Sequence, residues 1–268
     1  MPATPERAWL GNPTHSEAIA VHGSTPVPPT VVLVHGAFTD ASLWAGVISH
    51  LRAVGLSVRA AANPLRGLAQ DAAHIRSVVR HLDAPVVLVG HGYGGAVITQ
   101  AATDADNTVA LCYVAALGLD AGESVLDITS RFAPMPVIDA TLTAALPASC
   151  GAAPERELYI RRERFPEVYA ADLPSRVTDV LAVAQRPIAW SALTGRSGPP
   201  AWASKPSWYA IATADRTLNP TAQRFMAQRM AATECLLDGS HAVVLSQSGA
   251  VAAMIREAVE QGTGRTGV

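Results

Sequence analysis

The segment VLVGHGYGGAVI, residues 87–98, runs from an apolar stretch through a glycine-rich corner into a helix-like stretch, with Gly92 at the apex. Two kinds of chemistry use such a corner. Gly90, Gly92 and Gly95 satisfy G-x-G-x-x-G, whose glycines let a backbone approach a pyrophosphate at a helix N-terminus. Gly90 and Gly94 equally fill the flanking places of G-x-S-x-G, a strained strand-to-helix turn that presents a nucleophile, with Gly92 where the serine would stand. The dinucleotide alternative asks for an acidic residue about 20 residues on, closing the next strand. That strand ends in Val114, Ala115 and Ala116, while Asp104 and Asp106 precede it, so the sequence weighs against a nucleotide site.

The nucleophile turn makes its own demand: an acid and then a histidine, each just after a later strand. Asp215 in ATADRT follows SWYAIA, and His241 in GSHAV follows ECLLD. In such a set the aspartate fixes the tautomer of the histidine, and the histidine accepts a proton from the reacting group. His35-Gly36, closing the apolar run TVVLV, is a candidate for a loop that binds a developing oxyanion. His91, beside the apex, is expected to be structural, and Ser240 to serve its loop by hydrogen bonding.

These residues need elements that bring them to one edge. Val31 to Val34 reads as a strand buried on both faces of a parallel sheet. Trp44, Val47, Ile48 and Leu51 then recur at helical spacing, with Gly55 as the stop. A short strand near Val58, a helix carrying Ile75, Val78, Val79 and Leu82, the strand PVVLVG, a helix over about 95–103 and the strand TVALCYVAA continue the alternation. From about 118 to 203 the rhythm is lost, and prolines, Arg161, Arg162 and Arg164 accompany helical stretches without a clear buried strand. The alternation resumes with SWYAIAT, a helix over about 220–230, ECLLD and a final helix with Val251, Ile255 and Val259. The predicted fold is α/β: a mostly parallel sheet with helices on both faces and an inserted helical cap. Residues 1–29 form an N-terminal extension, 30–117 and 204–268 the core, and 118–203 the cap. Within the cap and its borders, Phe132, Tyr159, Trp190 and Trp202 are expected to fill its core rather than line a pocket.

Composition excludes several classes. A net charge of −2 without a basic stripe argues against nucleic acid. Hydrophobic residues reach 49%, yet every apolar run breaks before the roughly 18 residues a membrane span needs. The first residues carry Glu6 and Arg7 and lack a secretory apolar core, so a cytoplasmic location is expected. Cys112, Cys150 and Cys235 give neither a disulfide framework nor metal-ligand spacing, and Cys112 reads as a buried inert thiol. No cofactor and no metal are expected. The expected partner is a small-molecule substrate, with a homodimer left open.

The strings VVLVHGAF, ANPLRG, VVLVGHxYGGAVI, ATADRTLNP and GSHAVVLSQ, spread over residues 30 to 260, together resemble the α/β-hydrolase superfamily, in its small bacterial esterase and perhydrolase-like branch. The resemblance implies the α/β-hydrolase fold, an enzyme, and a catalytic set of Asp215, His241 and the nucleophile position, here Gly92. It also implies an oxyanion hole from the backbone N–H of Tyr93 with that of Ala37 or Phe38. Glycine lacks the hydroxyl, so no acyl-enzyme can form at this position. Three functions fit. The first is non-hydrolytic acid–base chemistry by His241 and Asp215 on a small molecule: cyclisation, elimination or carbon–carbon bond chemistry. The second is a serine esterase or lactonase in an inactive Ser-to-Gly form, and the third is a non-catalytic binding protein.

Overall fold

The computed structural model describes residues 27–145 and 155–264; most of the expected N-terminal extension, Cys150 and the last four residues lie outside them. The sheet strands are β1 (Thr30–Val34), β2 (Ser57–Ala61), β3 (Val86–His91), β4 (Thr108–Val114), β8 (Ser207–Ala212) and β9 (Thr233–Leu237). They form one sheet in the order β2-β1-β3-β4-β8-β9, and every pairing is parallel. The helices of this unit are α1 (Ala45–Ala53), α2 (Leu68–Arg80), α3 (Tyr93–Ala101), α9 (Pro220–Arg229), α10 (Val243–Ser246) and α11 (Ser248–Gly264). Alternate side chains of each central strand feed two separate cores. Val32, Val34 and Leu88 join α2 and α3 on one face, while Val31, Leu33, Val87 and Val89 join α1 and α11 on the other. This is why the strands read as unbroken apolar runs. The sheet therefore matches the predicted mostly parallel arrangement with helices on both faces.

Two boundaries move. Helix α3 begins at Tyr93, two residues before the predicted start, because the corner turns straight from strand to helix. Leu82 falls beyond α2, which ends at Arg80. Gly55 does take the left-handed conformation expected of a helix stop, with φ 81°.

Between β4 and β8 the chain builds α4 (Val125–Thr129), α5 (Val137–Ala140), α6 (Phe165–Tyr169), α7 (Ser175–Ala184) and α8 (Trp190–Thr194). It also builds β5 (Thr141–Ala145), β6 (Arg156–Ile160) and β7 (Ile188–Ala189), a small antiparallel sheet. The expectation of a purely helical insertion is corrected on this point. The signal was weak because β5 is largely exposed, β7 is two residues long, and β6 opens on the charged pair Arg156-Glu157, with Glu157 on the face of Tyr159. That glutamate is buried because Arg66 pairs with it.

Strand order reverses between β1 and β3, so the chain leaves them in opposite directions and opens a crevice above their carboxyl ends. Close packing fixes the turn beside that crevice. A Cβ on Gly94 would lie 2.4 Å from the Val34 carbonyl oxygen, one on Gly95 2.7 Å from Ala116 Cβ, and one on Gly90 2.6 Å from the Gly94 backbone. Gly94→Ala is therefore expected to cost about 3 kcal/mol or more, because rigid backbone must move. Gly55→Ala, where nothing lies within 4 Å, should cost only about 1–2 kcal/mol for its positive φ. Urea unfolding midpoints of the two variants check the difference, and equal losses would contradict the packing argument.

Candidate active site

Each predicted site residue follows a strand of the parallel sheet, and the topology gathers them at one edge. Gly92 stands between β3 and α3 with φ 53° and ψ −123°, a conformation that costs a side-chain-bearing residue on the order of 1–3 kcal/mol. Asp215 follows β8 and His241 follows β9, and both are buried. The Nδ1–H of His241 donates to Asp215 Oδ2 at 2.7 Å, which leaves the Nε2 lone pair facing the corner. Nε2 lies 3.0 Å from the point where a Cβ on Gly92 would sit. The imidazole has thus closed toward space that a side chain at position 92 would contest.

The carboxylate of Asp215 is held on every side. Its Oδ1 accepts from the backbone N–H groups of Thr217 and Leu218 at 2.7 and 2.9 Å. Its Oδ2 accepts from Gln223 Nε2 at 2.8 Å as well as from His241. Gln223 is itself fixed on α9, donating to the Leu218 carbonyl and accepting from Ala212 N–H. Four donors on two oxygens satisfy and aim this carboxylate without a water shell.

The loop that carries the candidate oxyanion donors follows β1. His35 is fully buried in a neutral tautomer: Nδ1–H donates to the Gly36 carbonyl at 2.9 Å and Nε2 accepts from Asn63 N–H at 3.0 Å. Gly36 must be glycine, because a Cβ there would lie 2.7 Å from the His91 carbonyl oxygen and 3.2 Å from Tyr93 N. Among the described residues, the N–H groups of Ala37 and Tyr93 have no acceptor. Phe38, the alternative second donor in the sequence reading, is corrected: its N–H is given to the Arg186 carbonyl at 2.9 Å. Its backbone, at φ 62°, turns its ring toward the cavity instead.

Other expectations sort in the same way. The Nε2–H of His91 donates to the His241 carbonyl at 2.9 Å, a structural role, and its ring lies 4.6 Å from that of His241. Ser240 donates its hydroxyl hydrogen to Asp172, with the Tyr169 carbonyl 3.1 Å from the same oxygen, and Ser246 donates to the other oxygen of Asp172 at 2.6 Å. Tyr93 donates its hydroxyl to buried Asp71 at 2.8 Å, and burial raises its pKa strongly, so the phenol does not replace the missing nucleophile. Cys112 is buried with its thiol pKa raised by desolvation. Phe132 and Trp190 line the cavity, contrary to the expectation that they fill the core. Trp202 donates to the Leu119 carbonyl and Tyr159 donates to Glu157.

Gln223, Asp172 and Tyr169 carried no sequence signal. Tyr169 packs edge-on over His241 at 4.9 Å between ring centres, and its hydroxyl donates to the Ala37 carbonyl at 3.2 Å. It joins the base to the oxyanion loop from a segment more than 70 residues before His241. The cavity in front of these groups measures about 670 Å³. Among the described residues, no group of three or more His, Cys, Asp or Glu could hold a metal ion, and no helix is long and apolar enough to cross a membrane.

The chain belongs to the alpha/beta hydrolase family, whose model matches residues 31–254. Polyneuridine aldehyde esterase has a similar structure, with TM-score 0.75 and 16% identity over 86% of this chain and 99% of that one. A methylesterase from Arabidopsis gives TM-score 0.71 and 19% identity over 87% and 99%. A pyrethroid hydrolase from Sphingobium faniae gives 0.67 and 21% over 87% and 97%. At these identities the likeness establishes the fold. No curated protein matches the chain in sequence.

Burial lowers the pKa of His35 from 6.5 to about 4, and burial with the neighbouring His241 lowers that of His91 well below 6.5. Both are neutral in the folded protein and take up protons on unfolding as soon as the pH falls below 6.5. Stability is therefore complete above pH 6.5 and declines from there toward pH 4. At pH 5, His35 alone should remove about 2 kcal/mol relative to pH 7.5. Urea midpoints at the two pH values measure this, and His35→Gln should flatten the profile; an unchanged slope in that variant would rule the assignment out.

Proposed function

We propose that this protein is a cofactor-independent enzyme in which His241, oriented by Asp215, acts as a general base on a bound carbonyl compound without a covalent acyl intermediate. The observation that carries the proposal is the placement of His241 Nε2, 3.0 Å from where a side chain on Gly92 would begin. A carbonyl oxygen accepting from Ala37 N–H and Tyr93 N–H brings the adjacent carbon toward this nitrogen. Nε2 takes the proton from that carbon, the C–H electron pair moves into the developing double bond, and the carbonyl oxygen gains the negative charge that the two N–H groups stabilise. The proton on Nε2 then returns to carbon or to a leaving group, which accommodates cyclisation, elimination or carbon–carbon bond chemistry. The Asp215 carboxylate, hydrogen-bonded to Nδ1–H, stabilises the imidazolium.

The second reading is an esterase or lactonase lacking only its nucleophile. It is favoured by the strained backbone retained at Gly92, which a glycine does not require, and by the esterases among structures of the same fold. Gly92→Ser separates the two. The added Cβ obliges His241 to withdraw by a few tenths of an ångström, and the strained turn lowers stability by about 1–3 kcal/mol.

Deuterium incorporation next to the carbonyl of a simple ketone, followed by NMR, should proceed with the unaltered protein and fall about 10²–10⁴-fold in His241→Ala. Exchange that is indifferent to His241 would sink the base assignment. The appearance of rapid p-nitrophenyl ester turnover in a folded Gly92→Ser variant, with no such exchange in the unaltered protein, would instead establish the second reading.

A further inference from the structure

We infer that the cavity takes an uncharged, largely apolar molecule whose principal hydrogen-bond acceptor is the carbonyl at the Gly92 end. This rests on the reading that the elbow cavity is the substrate site. No Asp, Glu, Lys or Arg lines the cavity among the described residues, and the sequence of residues 146–154, LPASCGAAP, carries none either. A ligand carboxylate, phosphate or ammonium would enter without a counter-charge, and desolvating an unpaired ion costs far more than an apolar wall returns.

The hydroxyls on the walls can accept from a ligand but offer it no donor, because their hydrogens are already used. Thr129 donates to the Val125 carbonyl at 2.8 Å, Ser130 to Asp127 at 2.9 Å, Thr141 to Val137 at 2.7 Å, and Thr217 to Val168 at 2.8 Å. Asn219 donates to the Ala133 carbonyl and accepts from Thr221 N–H. The remaining hydroxyl and indole groups, on Thr143 and Trp190, belong to solvent-exposed residues. Among the described residues, the donors open to a ligand acceptor therefore concentrate at one end, in the two backbone N–H groups, with the second amide hydrogen of Asn219 as the exception. Further acceptors on the body of a ligand would lose water with little replacement, so that body is largely apolar. A cavity of about 670 Å³ lies within the range that encloses a drug-sized molecule.

The test is calorimetric binding to the full chain of 2-undecanone, decanoate and decyltrimethylammonium at pH 7.5. The ketone should bind saturably and at least tenfold more tightly than either ion; equal or tighter binding of an ion overturns the inference. Leu126→Arg, a half-buried wall position, should weaken the ketone about tenfold and strengthen decanoate, whereas Leu126→Met should bind like the unaltered protein. A Leu126→Arg variant that melts normally and treats both ligands as before would also overturn it. Binding is read without turnover, which separates the two proposals. Ketone binding that persists in His241→Ala while proton exchange is indifferent to that change defeats the base reading alone. Proton exchange on acetone that depends on His241, with no binding of 2-undecanone, defeats the ligand class alone.

Discussion

Strand β3 and helix α3 meet so closely at Gly92 that the chemistry and the packing of this protein are one constraint. With glycine at 90, 94 and 95, the helix backbone lies directly against the strand and against the carbonyl of Val34. The turn must then reverse within one residue, at φ 53° and ψ −123°. That reversal points the Tyr93 N–H away from the sheet and into the crevice, beside Gly36. The position of this N–H is thus a consequence of the close approach, and the N–H of Ala37 is placed by the loop that Gly36 allows to pass.

The charged part of the site obeys a different constraint, the cost of burying a carboxylate. Asp215 is tolerated in the interior because two backbone N–H groups, Gln223 and His241 meet its oxygens. Those donors leave the His241 lone pair one direction to face, which is the corner. Residues between β4 and β8 complete the enclosure. Tyr169 lies over the imidazole and Asp172 ties Ser240 and Ser246, so the loop carrying the base is held by the same insertion that walls the cavity. Orientation of the base and shape of the ligand site are therefore linked through one segment.

How much of this was legible in the sequence follows from where each signal resides. Asp215, His241 and the corner were readable because each ends an apolar strand, and parallel topology sends all such ends to one edge. The fold was readable for the same reason, since strands buried on both faces leave unbroken apolar runs. Gln223, Tyr169 and Asp172 were not, because their roles arise from contacts between distant segments, and no spacing encodes which polar side chain a folded carboxylate will meet. The small sheet β5-β6-β7 escaped because β6 opens on two charged residues, of which Glu157 is buried against Arg66, and too few apolar positions follow to mark a strand. Phe38 was misassigned as a donor because only the placement of Arg186 decides whether its N–H is free.

Glycine at the apex sets two properties of the site. No covalent intermediate can form at that position, since nothing there can be acylated. His241 Nε2 also stands 3.0 Å from the point where a Cβ on residue 92 would lie. In a serine-bearing site the hydroxyl lies between base and substrate, and the base acts through it. With glycine at 92 no hydroxyl stands between Nε2 and the cavity, and among the described residues the N–H groups of Ala37 and Tyr93 have no acceptor. The proton transfer proposed for the carbon beside a carbonyl needs a base and such donors together and no nucleophile.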